Sequence, residues 1–306
     1  MHTKLFCIIL LTVSLTLLLI SCEQEKTIEF EVPFTDKSLV LYGFITPSEP
    51  ISVQVNKTVP PIHDIPADDK VTDATVFLYE NDNFIEELIT DDGEIYRSPS
   101  DFLPQAGGIY TVEVQAPDYL TISGTDTIPA KTALNIDDLV FNADSSDAFT
   151  TAFFTDPSPV GNYYGVRWES YREGALFGGG SFGGTYSFES EVNGCRDTRF
   201  YLPDAIDHSG FKDICFDGEE VSFELSLTIS GEGFDGNWEF FEFNIDKYII
   251  RLYAHTHTLF KYSKSISDYN DTSGDPFLEQ SQIWSNIKNG HGVFCAYNQD
   301  SISINF

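Results

Sequence analysis

From residue 38 onward the chain is a succession of short runs in which apolar and polar positions alternate, broken by Gly, Pro, Asn and Asp. In "IYTVEVQA" (109–116), Tyr110, Val112 and Val114 alternate with Thr111, Glu113 and Gln115. A period of two places the first set on a core face and the second in water. Similar runs at 38–44, 51–57, 74–80 and 84–90 predict a first group of strands, with "ENDN" (80–83) as a hairpin turn. The pattern pauses at "SGTDTIPAKTALNIDDLVF", where Pro129 marks a crossover. A second group of strands is predicted around 150–154, 162–171, 184–190, 221–230, 246–258 and 292–297. Long helical periodicity is almost absent. The ambiguous stretch is "KYIIRLYAHTHTLFKYSKSI" (247–266), strand-like in its β-branched and aromatic content but open to a helical end. "GALFGGGSFGG" (174–184) reads as a mobile Gly-rich loop. The prediction is an all-β protein with two β-sandwich-like domains, 37–129 and 130–306.

The N-terminus follows other rules. Lys4, a nearly continuous apolar run from Leu5 to Ile20 and the small Ser21 make residues 1–21 a secretory signal, the run being short for a bilayer span. Leu19-Ile20-Ser21-Cys22 resembles the lipobox of bacterial lipoproteins. That resemblance implies cleavage before Cys22 and lipidation on it, and several acyl chains at about 0.8 kcal/mol per buried methylene make a lasting anchor. Residues 22–36, charged and without a period, read as a lipidated tether. Glu23-Gln24-Glu25 resembles the acidic export tag of Bacteroidota surface lipoproteins. It implies the outer membrane and its cell-surface side, with the periplasmic face as the alternative.

Charge narrows the partners. Asp and Glu number 48 against 17 Lys and Arg, a formal charge of −31. Such a surface repels phosphates, which excludes nucleic acid and disfavours anionic lipid heads. The chain is 42% hydrophobic and 14% aromatic, a composition that builds a core rather than a disordered coil. Of the five cysteines, Cys7 leaves with the signal and Cys22 carries lipid. Cys195 and Cys215 are the candidate disulfide, and Cys295 in "GVFCAYN" reads as a small buried hydrophobe.

Four further segments carry a family likeness: "SLVLYGFITPSEPISVQVNKT", "VTDATVFLYEND", "GIYTVEVQAPDYLTISGTDTIP" and "GDPFLEQSQIWSNIKNGHGVFCAYN". Together with the lipobox cysteine they resemble the Bacteroidota outer-membrane lipoproteins called domain of unknown function 4249. The most specific part is the C-terminal block, with Gly-Asp-Pro-Phe at 274–277, Ser-Asn-Ile at 285–287 and Asn-Gly-x-Gly-x-Phe at 289–294. Cys295 stands where the family often has glycine. The resemblance implies an accessory lipoprotein working beside a TonB-dependent outer-membrane β-barrel, and it brings no reaction. The first domain also resembles transthyretin-like or carboxypeptidase-regulatory sandwiches of Ig type.

Candidate chemistry is sparse. His255 and His257 on a strand would share a face, a spacing that metal sites use, but no third ligand stands nearby. Asp268, Asn270, Asp271 and Asp275 in "SDYNDTSGDPF" could offer oxygens to Ca²⁺, yet the spacing is not that of an EF-hand and a connecting turn is the expected reading. There is no nucleophile elbow, HExxH or phosphate loop, so the expectation is a non-enzymatic protein without catalytic residues, metal ligands or cofactor, structural Ca²⁺ remaining open on so acidic a surface. Aromatic side chains are the better lead. Tyr163, Tyr164 and Trp168 in "GNYYGVRWESY", and Trp238 and Phe240 in "GFDGNWEFFEF", are either core and a second packed layer or contacts for a ligand or partner. Thr127 and Ser301 follow Asp126 and Asp300 in a pattern resembling the Bacteroidota O-glycosylation acceptor. The function expected is ligand capture for a TonB-dependent barrel. The alternatives are a free-standing glycan- or protein-binding surface module and a scaffold subunit of a larger outer-membrane assembly.

Overall fold

The computed structural model describes residues 37–59, 69–181, 200–201, 209–234, 240–273 and 277–306, and within these, period-two alternation becomes strand. The first half of the chain supplies β1 (Leu39–Ile45), β2 (Ser52–Lys57), β3 (Thr75–Glu80), β4 (Asn83–Leu88), β5 (Ile95–Arg97), β6 (Ile109–Gln115) and β7 (Ile122–Thr127). Next come β8 (Asn135–Ile136), β9 (Val140–Phe141), β10 (Asp147–Thr155), β11 (Tyr163–Arg172), β12 (Ala175–Ser181), β13 (Phe200–Tyr201) and β14 (Ser209–Lys212). The remainder is β15 (Glu220–Thr228), β16 (Ser230–Phe234), β17 (Phe240–Asn244), β18 (Lys247–His255), α1 (His257–Ser273) and β19 (His291–Asn305). The turn expected at "ENDN" joins β3 to β4, pairing Glu80 with Asn83. Asn81 and Asp82 both take positive φ, 49° and 64°, as a two-residue hairpin loop matched to strand twist requires.

Two main apolar cores form among the described residues. The first packs Leu41, Val53 and Val55 of β1 and β2 against Val76, Leu78, Val112 and Val114 of β3 and β6. The second packs Tyr164, Val166, Ile250 and Leu252 of β11 and β18 against Phe154, Phe223 and Leu225 of β10 and β15. Each is a sandwich of facing sheets, and the chain is all-β apart from α1 among the described residues. The sheets are not independent. β19 pairs in parallel with β1 from Val40↔His291 to Ile45↔Ala296, and then antiparallel with β18 from His255↔Tyr297 to Lys247↔Asn305. One strand therefore walls both sandwiches, giving Phe294 and Ala296 to the first core and Ile304 to the second. Ile287, Phe294 and Ala296 from the far end of the chain belong with the first core. Asp36–Phe306 form a single compact unit.

The C-terminal block explains how that strand is seated. Phe294 is fully buried against two glycines, Gly43 of β1 and Gly124 of β7, where a Cβ would come within 2.6 and 2.5 Å of it. The Asn286 amide donates to the carbonyl oxygens of Phe294 (2.7 Å) and Thr125 (3.2 Å), and its Oδ1 accepts the Phe294 N–H (3.0 Å). Asn289, at φ 60°, donates to the Thr121 carbonyl. The family-specific residues thus act as a clasp on β19. Replacing Asn286 by alanine removes a donor and an acceptor from partly buried backbone and is expected to destabilise the fold by about 2 to 3 kcal/mol. An urea midpoint lowered by that equivalent, with the slope unchanged, is the result to look for.

Two segments differ from expectation. Residues 175–181 of the Gly-rich stretch form β12, paired with β11 from Arg172↔Ala175 to Arg167↔Ser181 across a bulge. A Cβ at Gly180 would stand 3.4 Å from Nε1 of Trp168, in ordinary contact, and one at Gly178 would crowd the Ser170 hydroxyl at 3.2 Å. The run 267–273 is the end of α1 rather than a turn. Thr256 caps that helix, its hydroxyl accepting the Leu259 N–H. Leu259, Tyr262 and Ile266 then lie along one face against Val293 and Cys295 of β19. Lys264 and Asp268 pair across one turn on the exposed side. No described helix is long and apolar enough to cross a membrane.

Candidate functional site

Along β11 the even-numbered side chains Tyr164, Val166, Trp168 and Ser170 face the second core. Tyr164 and Val166 are buried in it, and beside Trp168 and Ser170 a cavity of about 350 Å³ opens. β12 contributes Phe177 and Gly178, β15 contributes Ser226, Leu227 and Thr228, and the β16–β17 hairpin and the start of β18 bring Phe243, Ile245 and Tyr248. Rings dominate the walls. Trp168 and Tyr248 lie 5.9 Å apart at 43°, and Phe177 and Phe243 lie 5.0 Å apart at 36°. Tyr248 donates its hydroxyl to the Thr228 carbonyl at 2.9 Å, and burial, then the nearby Asp147, pushes its pKa up. Ser170 donates to the Gly178 carbonyl. Among the described residues none lining this cleft is charged, although the chain as a whole carries −31. On β12 and β17 themselves, Leu176 and Phe240 expose more than half their surface. Size, ring content and a few hydroxyls are the attributes of a small-molecule cavity.

A second cavity of about 260 Å³ opens beside Pro129–Ala133, Asn162 and His255 and has a more polar lining. Near it, Asp156, Asp213 and Asp217 bring carboxylate oxygens within 4.8 Å of one another. Three such oxygens suit a hard cation in kind. Two of the acids already serve the fold. Asp156 accepts from the Tyr164 hydroxyl (2.6 Å) and the Gly218 N–H (2.9 Å), and Asp213 from the N–H groups of Gly161 and Asn162. Burial raises the pKa of Asp156 against these hydrogen bonds, with Asp213 adding to the rise.

The aromatic residues singled out in the sequence have separate fates. Tyr164 is core rather than contact surface: its ring packs on Phe154, Phe211 and Phe216. Tyr163, on the opposite face of β11, is also buried, because α1 covers it; its ring stacks on Phe260 at 4.8 Å and its hydroxyl lies 2.5 Å from Nδ1 of His257. Burial, then the neighbouring Lys261 and Lys212, lowers the His257 pKa. Trp168 lines the cleft, Phe240 is exposed on β17 and does not line it, and Trp238 lies outside the described residues.

The two histidines do not act together, since β18 ends at His255 and His257 opens α1. Asp268, Asn270 and Asp271 sit on α1, and Asp275 lies outside the described residues. Thr127 and Ser301 are both exposed. Cys215 is disulfide-bonded, Cys195 and Cys22 lie outside the described residues, and Cys295 is free and buried. Sequence reasoning missed Phe177, Phe243 and Tyr248. The signal for them was the small side chains of "FGGGS", which make room for a large ring on the neighbouring strand.

Fold and site together define an all-β, sandwich-like protein with an uncharged aromatic cleft in one sandwich. A family model described as "Domain of unknown function (DUF4249)" matches residues 25–303, nearly the whole chain, and the chain belongs to that family. No curated protein matches it.

Proposed function

We propose that this protein is a non-enzymatic lipoprotein of the outer membrane, anchored through Cys22 on the cell-surface side, that captures a small ligand for a TonB-dependent β-barrel. The observation that carries the reading is the cleft: a cavity of about 350 Å³ with aromatic walls and an uncharged lining in a strongly acidic chain. The lipobox-like "LISC" and the acidic residues after it support the anchor and its location. The barrel partner rests on the resemblance to accessory outer-membrane lipoproteins. The exposed apolar side chains Leu176 and Phe240 favour a second reading, a free-standing glycan- or protein-binding surface module.

Affinity purification of the tagged full-length protein from mildly solubilised native membranes separates the two. A barrel protein in near-stoichiometric amount is expected with the wild type, and its loss with Cys22→Ala. Recovery of the lipoprotein alone in every detergent tried would refute the accessory role and leave the free-standing module.

A further inference from the structure

The lining of the cleft specifies more than the presence of a ligand. We infer that it takes a neutral, flat, largely apolar molecule, held by its faces against aromatic rings and touched by hydroxyls only at exposed positions of the lining. This inference rests on reading the cleft as a binding site and names the class of ligand.

Three observations carry it. First, the walls offer ring faces. Trp168 lies beside β12, its ring within van der Waals reach of a Cβ placed at Gly178 or Gly180, and the Phe177 and Phe243 rings stand 5.0 Å apart at the same opening. Rings that are already packed lose little freedom when a ligand slides against them, so stacking yields most of its attraction. Second, the deep polar atoms are committed. The Tyr248 hydroxyl is directed to the Thr228 carbonyl and that of Ser170 to the Gly178 carbonyl, and the remaining polar residues of the lining, Ser226 and Thr228, are both exposed. Third, no cation lines the cleft to pair an anion and no carboxylate lines it to pair a cation, among the described residues. Transferring a charge into such a lining without a partner is strongly unfavourable. The chain's net charge of −31 would concentrate cations at the surface, yet the cleft has nothing to hold them with. Charge selection inside the cleft is therefore distinct from charge attraction outside it.

The test uses two fluorescent probes with one ring skeleton. N-phenyl-1-naphthylamine is neutral, and 8-anilino-1-naphthalenesulfonate adds a sulfonate. Binding is measured to the mature chain carrying Cys22→Ala, so that no acyl chains or detergent compete. Added salt at about 1 M shortens the screening length to roughly 3 Å and removes the general repulsion of anions by the acidic surface. The neutral probe is expected to bind one to one, and the sulfonate to bind about tenfold more weakly or worse even in that salt. Ser226→Trp, at an exposed position of the lining, should weaken the neutral probe by about tenfold or more, while Phe240→Ala, exposed on β17 and outside the lining, should not. Ser226→Lys should weaken the neutral probe and improve the sulfonate, reversing the order.

Equal binding of both probes in high salt would overturn the inference. So would absence of neutral-probe binding, or binding that ignores Ser226→Trp. The membrane purification gives an independent readout. A barrel recovered with a protein that fails to bind the neutral probe would overturn the ligand class and leave the accessory role standing. Probe binding without any barrel would do the opposite.

Discussion

Gly292→Ala is expected to abolish the cooperative unfolding transition of the native chain or to lower its midpoint by more than any other alanine substitution on β19. Gly292 has φ +97°, and a Cβ there would stand 2.1 Å from the carbonyl oxygen of Leu41 and 2.9 Å from its carbonyl carbon. Leu41 is its partner in the parallel pairing of β1 with β19. Two penalties combine. Positive φ costs an L-residue about 1 to 2 kcal/mol, and the clash is with backbone that cannot rotate away. Relief requires β1 and β19 to separate, which would expose Phe294 and Ala296 from the first core and loosen the strand that also walls the second. A loss of several kcal/mol is comparable with the whole stability of an ordinary domain, roughly 5 to 15 kcal/mol. Gly174→Ala is the control, because Gly174 also has positive φ, +78°, but nothing lies within 4 Å of its missing Cβ. It should lower stability by only about 1 kcal/mol. Thermal melts in which the two variants behave alike would show that the close approach to Leu41 is not what fixes glycine at 292.

The second large effect is expected at Asp126, a mostly buried carboxylate that ties three segments together. Its Oδ2 accepts the Thr256 hydroxyl at 2.6 Å and the Ala296 N–H at 2.9 Å, and its Oδ1 accepts the Thr127 N–H at 2.9 Å and the Thr258 hydroxyl at 3.3 Å. The end of β7, the start of α1 and the middle of β19 therefore meet on one side chain. Asp126→Ala leaves the Ala296 N–H without its acceptor and is expected to cost about 3 to 5 kcal/mol.

Its pH dependence has a definite sign. Burial raises the Asp126 pKa above its ordinary value, the hydrogen bonds from Thr256, Thr127, Ala296 and Thr258 opposing that rise. An acid whose pKa is higher in the folded state holds its proton more tightly there. Its contribution to stability is complete below the unfolded pKa, about 3.9, and is lost as pH rises through the folded value. Asp126→Asn removes the titration. The stability of the wild type relative to Asp126→Asn should therefore be greater at pH 4 than at pH 7. Urea titrations of both proteins at the two pH values measure it, and a difference that is flat or of opposite slope would contradict the assignment.

Asp126 and Gly292 also mark the limit of what local pattern conveys. Asp126 reads in the sequence as the first residue of a glycosylation-like triplet, and nothing nearby hints that its carboxylate faces inward. Its partners Thr256, Thr258 and Ala296 come from segments remote in the chain. Gly292 was visible as part of a family block, but its role is set by Leu41, a partner that no local period identifies. The same holds for "GALFGGGSFGG". Glycine content alone argues for a loose loop, and it is the pairing with β11 that makes residues 175–181 a strand.

What the sequence by itself determined is therefore everything carried by contacts between near neighbours. The two-residue alternation specified the strands, because adjacent side chains on an extended backbone must point to opposite faces. Asn81 and Asp82 specified their turn, because these residue types tolerate positive φ. The family block specified membership across residues 25–303. Tertiary structure decided the pairing of the last strand with the first, the cover that α1 lays over Tyr163, and the aromatic cleft around Trp168. Each of these depends on which surfaces meet after the chain has closed long loops. Burial, close approach and buried hydrogen bonds then select among pairings that are alike in local pattern.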